Sequence, residues 1–401
     1  MPRARTIGAV VLAAALGVGA AIAFLASDPN HRVAPLIVEP SSSTARSTTT
    51  AVHRTRAPRT TTTAVPAPPA ITRVLHKLRV ITGAISPKSV TATGTGLVFA
   101  QNMMYRHTMT VYDHDGSLVR TIPDSVEFDD FGLGGHPGVS RGAPVEAAVD
   151  HAHRKIFVTN YSMYGADFGP EGSDECKGPS GLSRSFVYRI DLRSLAIDGV
   201  AQVGMVPKYV AVTPDDRYVL VTNWCSYDVS VVDHDQLREI RRIPLGAYPR
   251  GIAVDPTSRV AYIAVMGSYD VARLDLRSFE LTWFRGVGNA PRHLVLSPDG
   301  RRLYVTLNGA NRVVAVDTRT GKVVATVATG KQPRSMAMST DGSALYIVNY
   351  ASNTVAVVRA SDLHLVRLLH VPSHPIGITF EPVEQRVWVA CYSGAIIIYG
   401  T

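Results

Sequence analysis

The stretch "SPDGRRLYVTLNGANRVVAVD" occupies residues 297–317, and a close copy of it, "STDGSALYIVNYASNTVAVVR", occupies residues 339–359. Each element of the first stretch returns 42 residues later. Self-similarity at a fixed period of this length is the signature of a repeat architecture, in which one supersecondary unit is copied along the chain. The sequence therefore predicts a fold assembled from copies of one unit.

A proline marks the same point in each copy, and we call these residues the register prolines. Five are spaced 42 residues apart and two lie upstream at longer intervals: Pro87, Pro144, Pro207, Pro249, Pro291, Pro333 and Pro375. Each unit holds four short runs of alternating or β-branched residues, separated by Gly, Pro, Asn and Asp, which predicts four strands. Four short strands per unit are typical of one propeller blade, so residues 74–401 are predicted to form an all-β, seven-bladed ring.

The last unit lacks a fourth strand. After Pro375 the chain contains only three strand-like runs before it reaches Thr401. The run at residues 75–83 belongs to no unit and is similar to the fourth strand of the other units. We therefore expect residues 75–83 to pair with the strand at 395–399 and to complete blade seven.

The segment before the repeats has a different composition. Residues 7–26 are uncharged and mostly apolar, and Arg3 and Arg5 precede them. This pattern predicts a transmembrane signal anchor at 7–26 or a cleaved signal peptide within residues 1–26. Residues 27–73 are rich in Ser, Thr and Pro, which predicts a disordered linker. Both alternatives place the repeats outside the cytoplasm, tethered to the cytoplasmic membrane or secreted.

Charge and cysteine content exclude several classes of protein. The net charge is +9, but residues 1–73 carry eight Arg against Asp28 and Glu39, so only +3 belongs to the repeats and nucleic-acid binding is disfavoured. The three cysteines form no CxxC or CxxCH motif, which excludes attached c-type haem and zinc ribbons. Cys176 and Cys225 fall in loops of neighbouring units and are a candidate disulfide.

Cations and aromatic residues recur on one predicted face of the ring, where the loops leading into the first strands meet the loops between second and third strands. The cations could bind a carboxylate, phosphate or sulfate, and the aromatic rings could contact a sugar, nucleobase or peptide. The alternative is that these residues only bond and pack between blades. The predicted ligand-binding residues are Lys208, Arg250, Arg292, Arg334, Trp224, Tyr161 and Tyr350.

Two insertions, at residues 123–143 and 161–184, lengthen blade two on the same face. Their acidic residues lack the DxDxDG spacing of a calcium loop, so no metal is predicted. The sequence contains no GxSxG, HExxH or P-loop motif, and we predict no catalytic residues and no cofactor.

The stretch "LYVTLNGANRVVAVDTRTGKVVATVATGKQPR" at residues 303–334 resembles the YVTN-type (YncE-like) β-propeller repeat of extracytoplasmic bacterial and archaeal proteins. The resemblance extends over residues 75–401 and implies the seven-bladed propeller. Such repeats are similar to those of surface-layer proteins, propeller lactonases and the propeller subunits of amine dehydrogenases. The resemblance therefore leaves the function open, because one fold carries many functions.

The leading hypothesis is a membrane-tethered, extracytoplasmic propeller that acts as a binding module of the cell envelope. Its predicted partner is an envelope protein, a glycan or a small anionic ligand. A monomer is expected, because a closed ring leaves no free sheet edge that needs a partner. The alternative is a propeller lactonase-type hydrolase, in which the same cations would hold an acidic sugar lactone.

Overall fold

The computed structural model describes residues 68–176 and 181–400. The predicted membrane or signal segment and nearly all of the predicted linker lie outside the described residues. Two short 3-10 turns, Ala70–Thr72 and Phe128–Phe131, are the helical segments of the described part. Within that part, no helix has the length and apolar character that a membrane span requires.

Seven antiparallel sheets form the seven predicted blades. Blade one contains β2 (Ser89–Ala92), β3 (Leu97–Asn102), β4 (Thr108–Asp113) and β5 (Leu118–Pro123). Blade two contains β6 (Ser125–Glu127), β7 (Val139–Val149), β8 (Lys155–Tyr164), β9 (Phe186–Asp191) and β10 (Ala196–Gln202). Blade three contains β11 (Pro207–Val212), β12 (Tyr218–Asn223), β13 (Asp228–Asp233) and β14 (Arg238–Pro244).

The remaining blades follow the same order. Blade four contains β15 (Pro249–Val254), β16 (Val260–Val265), β17 (Val271–Asp275) and β18 (Leu281–Phe284). Blade five contains β19 (Pro291–Leu296), β20 (Arg302–Leu307), β21 (Arg312–Asp317) and β22 (Val323–Ala328). Blade six contains β23 (Pro333–Met338), β24 (Ala344–Asn349), β25 (Thr354–Arg359) and β26 (His364–His370). Blade seven contains β27 (Pro375–Glu381), β28 (Arg386–Cys391), β29 (Ala395–Gly400) and β1 (His76–Ile81).

The N-terminal strand closes the ring as predicted. β1 runs antiparallel to β29, with Val80 opposite Ile397 and Ile81 opposite Ile396. The blade therefore combines the first and last strands of the described chain, and its sheet order is β1-β29-β28-β27. This pairing joins the two ends of the ring.

The core lies between adjacent blades. Leu220 and Val231 of blade three and Ile263 of blade four are 0% exposed and belong to one apolar cluster. Each middle strand is covered on both faces by neighbouring sheets, which explains the nearly continuous apolar runs in the sequence. Burial of each such side chain contributes about 1.5–3 kcal/mol.

The repeated "DG" pairs make the turns between first and second strands. Ser297 Oγ donates to Asp299 Oδ1 at 2.6 Å, and Gly300 follows with φ +68°. Asp341 accepts from Ser339 at 2.6 Å in the same way. Glycine suits the positive φ that these turns require. The turns lie at the end of the blades opposite the register prolines.

Blade two departs from the pattern on the register-proline face. β7 and β8 extend beyond their counterparts, with Arg141 opposite Tyr164, and β6 adds a fifth strand along β7. The predicted insertions thus build a raised structure on one side of the ring.

Candidate anion-binding site at the channel mouth

A cation directly follows the register proline in five of the seven blades. Lys208, Arg250, Arg292 and Arg334 were predicted, and Lys88 after Pro87 was missed although the register itself identifies it. We call these five residues the basic ring. Lys88, Lys208 and Arg250 are each 4% exposed, Arg292 is also buried, and Arg334 is half-buried.

The basic ring converges on the central axis. Oε1 of Glu146 in blade two lies 3.7 Å from Lys88 Nζ of blade one and 3.7 Å from Arg250 Nη2 of blade four. One carboxylate thus contacts cations from non-adjacent blades. Burial and the charge of Arg250 hold the pKa of Lys88 well below its usual value, although Glu146 opposes them.

On one side of the mouth, Lys208 is enclosed by residues of blades two and three. Its ammonium lies 4.4 Å from the Tyr161 ring centroid and 5.1 Å from that of Trp224, and it bonds the carboxylate of Asp174. Burial lowers the pKa of Lys208 to about 7, with Asp174 opposing and Arg250 adding to this effect. We call Lys208, Tyr161, Trp224 and Asp174 the blade-three side.

Asp174 belongs to the second insertion and is held by more than its charge. Tyr161 Oη donates to Asp174 Oδ1 at 3.0 Å, and Trp224 Nε1 donates to the Asp174 backbone carbonyl at 2.8 Å. The structure joins Cys176 to Cys225 in a disulfide, with Cα atoms 5.2 Å apart. Because Cys225 follows Trp224, this bond fixes the insertion directly over Lys208.

The other side of the mouth repeats the cation and the aromatic ring. The guanidinium carbon of Arg334 lies 3.4 Å from the Tyr350 ring centroid, and Tyr392 meets Tyr350 edge-on at 6.0 Å. Within the described residues, Arg334 Nε is buried and has no hydrogen-bond partner. We call Arg334, Tyr350 and Tyr392 the blade-six side.

Between the two sides, the Arg292 guanidinium has few hydrogen-bond acceptors. The only hydrogen bond that the described residues offer its guanidinium is to Met266 Sδ at 3.7 Å, a weak acceptor. Burial and the charges of Arg250 and Arg334 lower the pKa of Arg292. The structure thus brings all seven predicted ligand-binding residues to one mouth. Five of them belong to the two sides, and Arg250 and Arg292 belong to neither.

A cavity of about 300 Å³ lies in the channel beneath the basic ring. Its lining includes Glu146, Tyr209 and His293. The Tyr209 hydroxyl and His293 Nε2 are 2.8 Å apart, whereas His293 Nδ1 is buried and finds no partner among the described residues. Burial and the nearby Arg250 lower the pKa of His293 to about 3, so its ring is neutral.

The charges at the mouth are unbalanced. Among the described residues, five basic side chains face two carboxylates, the largely buried Glu146 and the more exposed Asp174. Groups of three or more His, Cys, Asp or Glu side chains suited to a metal ion are absent from the described residues. The chemistry that this arrangement favours is the binding of a negatively charged group by charge-assisted hydrogen bonds.

Comparison with known proteins agrees with the fold. Residues 183–342 match the family model described as "YNCE-like beta-propeller". No curated protein matches the chain. Among solved structures, a chain of Kuenenia stuttgartiensis hydrazine synthase is similar with a TM-score of 0.63 and 18% identity, over 80% of this chain and 97% of that chain. Identity this low supports the fold alone. The seven closed blades show that the described chain is a seven-bladed β-propeller, and residues 183–342 are similar to the YncE-like propeller family.

Proposed function

We propose that the chain is a membrane-tethered, extracytoplasmic binding module, and that its mouth receives an anionic group of an envelope protein, a glycan or a small ligand. The observation that carries the proposal is the basic ring, with five cations at one register position around the axis. Lys88, Lys208, Arg250 and Arg292 are all less than 9% exposed.

The burial of these basic side chains supports the proposed binding of an anion. Removing a cation from water is costly unless it is paired and hydrogen-bonded. Lys88 Nζ and Arg334 Nε are buried with no hydrogen-bond partner among the described residues, and Glu146 is shared between two cations at 3.7 Å. An anion at the mouth would supply the missing acceptors. The structural alternative, in which the cations only bond between blades, does not account for these unpaired donors.

One observation supports the proposed location. The Cys176–Cys225 disulfide suits an oxidising compartment, where such bonds persist.

Titration of the full chain in a mild detergent with sulfate, followed by calorimetry, tests the proposal. Changing Arg292 and Arg334 together to Gln should weaken sulfate binding at least about tenfold, because hydrogen bonds to charged groups contribute about 1.5–3 kcal/mol each. The matched control changes Arg277 and Arg319, exposed residues of the opposite face, to Gln. Equal binding by the two variants, or no binding by the unmodified chain, would contradict the proposal.

The lactonase-type alternative stays a prediction. It uses the same cations and differs only in turnover, so incubation of the full chain with an acidic sugar lactone tests it directly. Lactone hydrolysis that disappears in the Arg292/Arg334 variant would move the function from binding to catalysis.

A further inference from the structure

The blade-three side already holds a ligand-like group, which is part of the chain itself. Asp174 receives two kinds of contact: Lys208 Nζ and Tyr161 Oη bond its carboxylate, and Trp224 Nε1 bonds its backbone carbonyl. The second kind of contact recognises a peptide group rather than a negative charge. This side therefore acts as a pocket for an acidic residue within a peptide segment.

The blade-six side is built from equivalent positions. Arg334 follows a register proline as Lys208 does, and Tyr350 follows Asn349 at the end of a second strand as Trp224 follows Asn223. Register pairing places each aromatic residue beside its cation, since Pro207 lies opposite Asn223 and Pro333 lies opposite Asn349. The second aromatic residue is not equivalent in the two sides: Tyr161 comes from the preceding blade two, whereas Tyr392 comes from the following blade seven.

The two sides differ in what covers the cation. Lys208 is 4% exposed beneath the disulfide-bonded insertion, whereas Arg334, Tyr350 and Tyr392 are all half-buried. No described carboxylate forms a hydrogen bond or ion pair with the Arg334 guanidinium. The guanidinium carbon of Arg334 lies over the Tyr350 ring, and the Nη groups of a guanidinium form a fork that can pair in a bidentate manner with a carboxylate.

We propose, on the basis of the anion-binding function above, that the blade-six side binds an acidic residue of a partner's extended peptide segment, as the blade-three side binds Asp174. Arg334 pairs with the carboxylate, and Tyr350 and Tyr392 contact the peptide on either side of it. The partner is thus a protein with an exposed Asp- or Glu-containing segment. Its contacts would resemble those that Asp174 of the blade-two insertion makes within this chain.

The direct probe is a synthetic peptide with the sequence of residues 171–175, Glu-Gly-Ser-Asp-Glu, blocked at both ends. We expect the full chain to bind it, and to bind the Gln-Gly-Ser-Asn-Gln version at least about tenfold more weakly, since the amide version lacks the charged acceptors. Glucuronate and sulfate serve as parallel probes for a sugar carboxylate and for an inorganic anion.

Variants locate the binding site. Arg334→Gln should lose peptide affinity at least about tenfold, and Arg334→Lys should recover only part of it, because an ammonium cannot pair in a bidentate manner. Arg319→Gln, on the opposite face of the neighbouring blade, should bind as the unmodified chain does. Thermal melting of each variant verifies that the ring is intact, and the Lys variant keeps the test valid if the Gln variant is unstable.

The outcomes separate this proposal from the function on which it rests. Sulfate binding without peptide binding would overturn the peptide proposal and leave the anion-binding function standing. Glucuronate binding as tight as peptide binding would also overturn it, in favour of a sugar acid. Binding of neither sulfate nor peptide would overturn both proposals, and peptide binding unaffected by Arg334→Gln would show that the site is wrongly placed.

Discussion

On the blade-three side of the mouth Lys208 lies beneath Tyr161, Trp224 and Asp174, whereas on the blade-six side Arg334 is stacked on Tyr350 and half-buried. The cations come from the same register position and therefore from the repeat itself. The cover on Lys208 comes from an insertion that only blade two carries. The comparison indicates that repetition supplies the charge and that one irregular blade decides which part of that charge a ligand can reach.

The second insertion, which covers Lys208, is held in place by other interactions than those that hold the blades. Blades are held by strand pairing and by apolar clusters between sheets, but the tip of the second insertion is held by the Cys176–Cys225 disulfide and by the contacts of Asp174. We therefore expect changes at the tip of the insertion to leave the strand pairing of the blades intact. This property makes the two sides separable by experiment.

The largest expected effect comes from removing the aromatic residues. Trp224→Ala should cost about 3–5 kcal/mol of unfolding free energy, because Trp224 is 8% exposed and packs on Tyr248 with ring centroids 4.7 Å apart. Tyr350→Ala should cost only about 1 kcal/mol, since its ring is half-buried, and should reduce peptide binding more. Urea unfolding with parallel peptide titration measures both quantities. The opposite order of stabilities would mean that the two sides are not as different as their exposure indicates.

Removing the disulfide should have the next largest effect. The Cys176→Ser/Cys225→Ser variant should lose about 2–4 kcal/mol of unfolding free energy, because the bond closes a loop across 49 residues and restricts the unfolded chain. Peptide binding at the blade-six side should be unchanged. Dithiothreitol is the control: it should destabilise the unmodified chain and have no further effect on the variant. A variant as stable as the parent would mean that the cover is held without the disulfide.

A smaller effect is expected from Asp174→Asn. Neutralising that carboxylate removes one negative charge from the mouth but also removes the group that opposes the lowering of the Lys208 pKa. Sulfate affinity should therefore rise by less than about tenfold, and more at pH 6 than at pH 8. Glu175→Gln is the matched control, because Glu175 is an exposed neighbour and the change in net charge is the same. Calorimetry distinguishes the two variants. An equal gain in both would reduce the role of Asp174 to long-range electrostatics.

Much of the fold could be predicted, because each propeller blade repeats similar residue types at corresponding positions of the sequence. The 42-residue period predicted the positions of the strands. The last unit has only three strands and one extra strand lies near residue 80, which together predicted how the ring closes. The same register identifies Lys88, which directly follows Pro87, although the longer spacing from Pro87 to Pro144 separates it from the four cations that are 42 residues apart. These features are local or periodic, so a sequence displays them.

The relation between the two sides could not be predicted. Asp174 appeared in the sequence as one of several acidic residues in an insertion, and its contact with Lys208 spans 34 residues of chain. Glu146 carried no signal at all, since it meets Lys88 and Arg250 only after the ring closes. Such contacts depend on the path of an irregular loop and on how non-adjacent blades converge, and neither leaves a period in the sequence.

The smallest expected effect is a dependence of sulfate binding on pH. Burial lowers the pKa of Lys208 to about 7, with Asp174 opposing and Arg250 reinforcing the shift. The ammonium is therefore lost as the pH rises through about 7, and sulfate affinity should fall a few fold between pH 6 and pH 8.5. Sulfate keeps its charge over this range, so a fall in affinity would report the loss of a positive charge from the protein.

The stability of the protein should respond to pH in the opposite sense. Between about pH 7 and the usual pKa of lysine the unfolded chain binds more protons at Lys208 than the folded chain, so the unfolding free energy should rise with pH in that window. Lys208→Arg should flatten the affinity profile, because its side chain does not titrate. A profile that remains steep in Lys208→Arg would assign the pH dependence to a group other than Lys208.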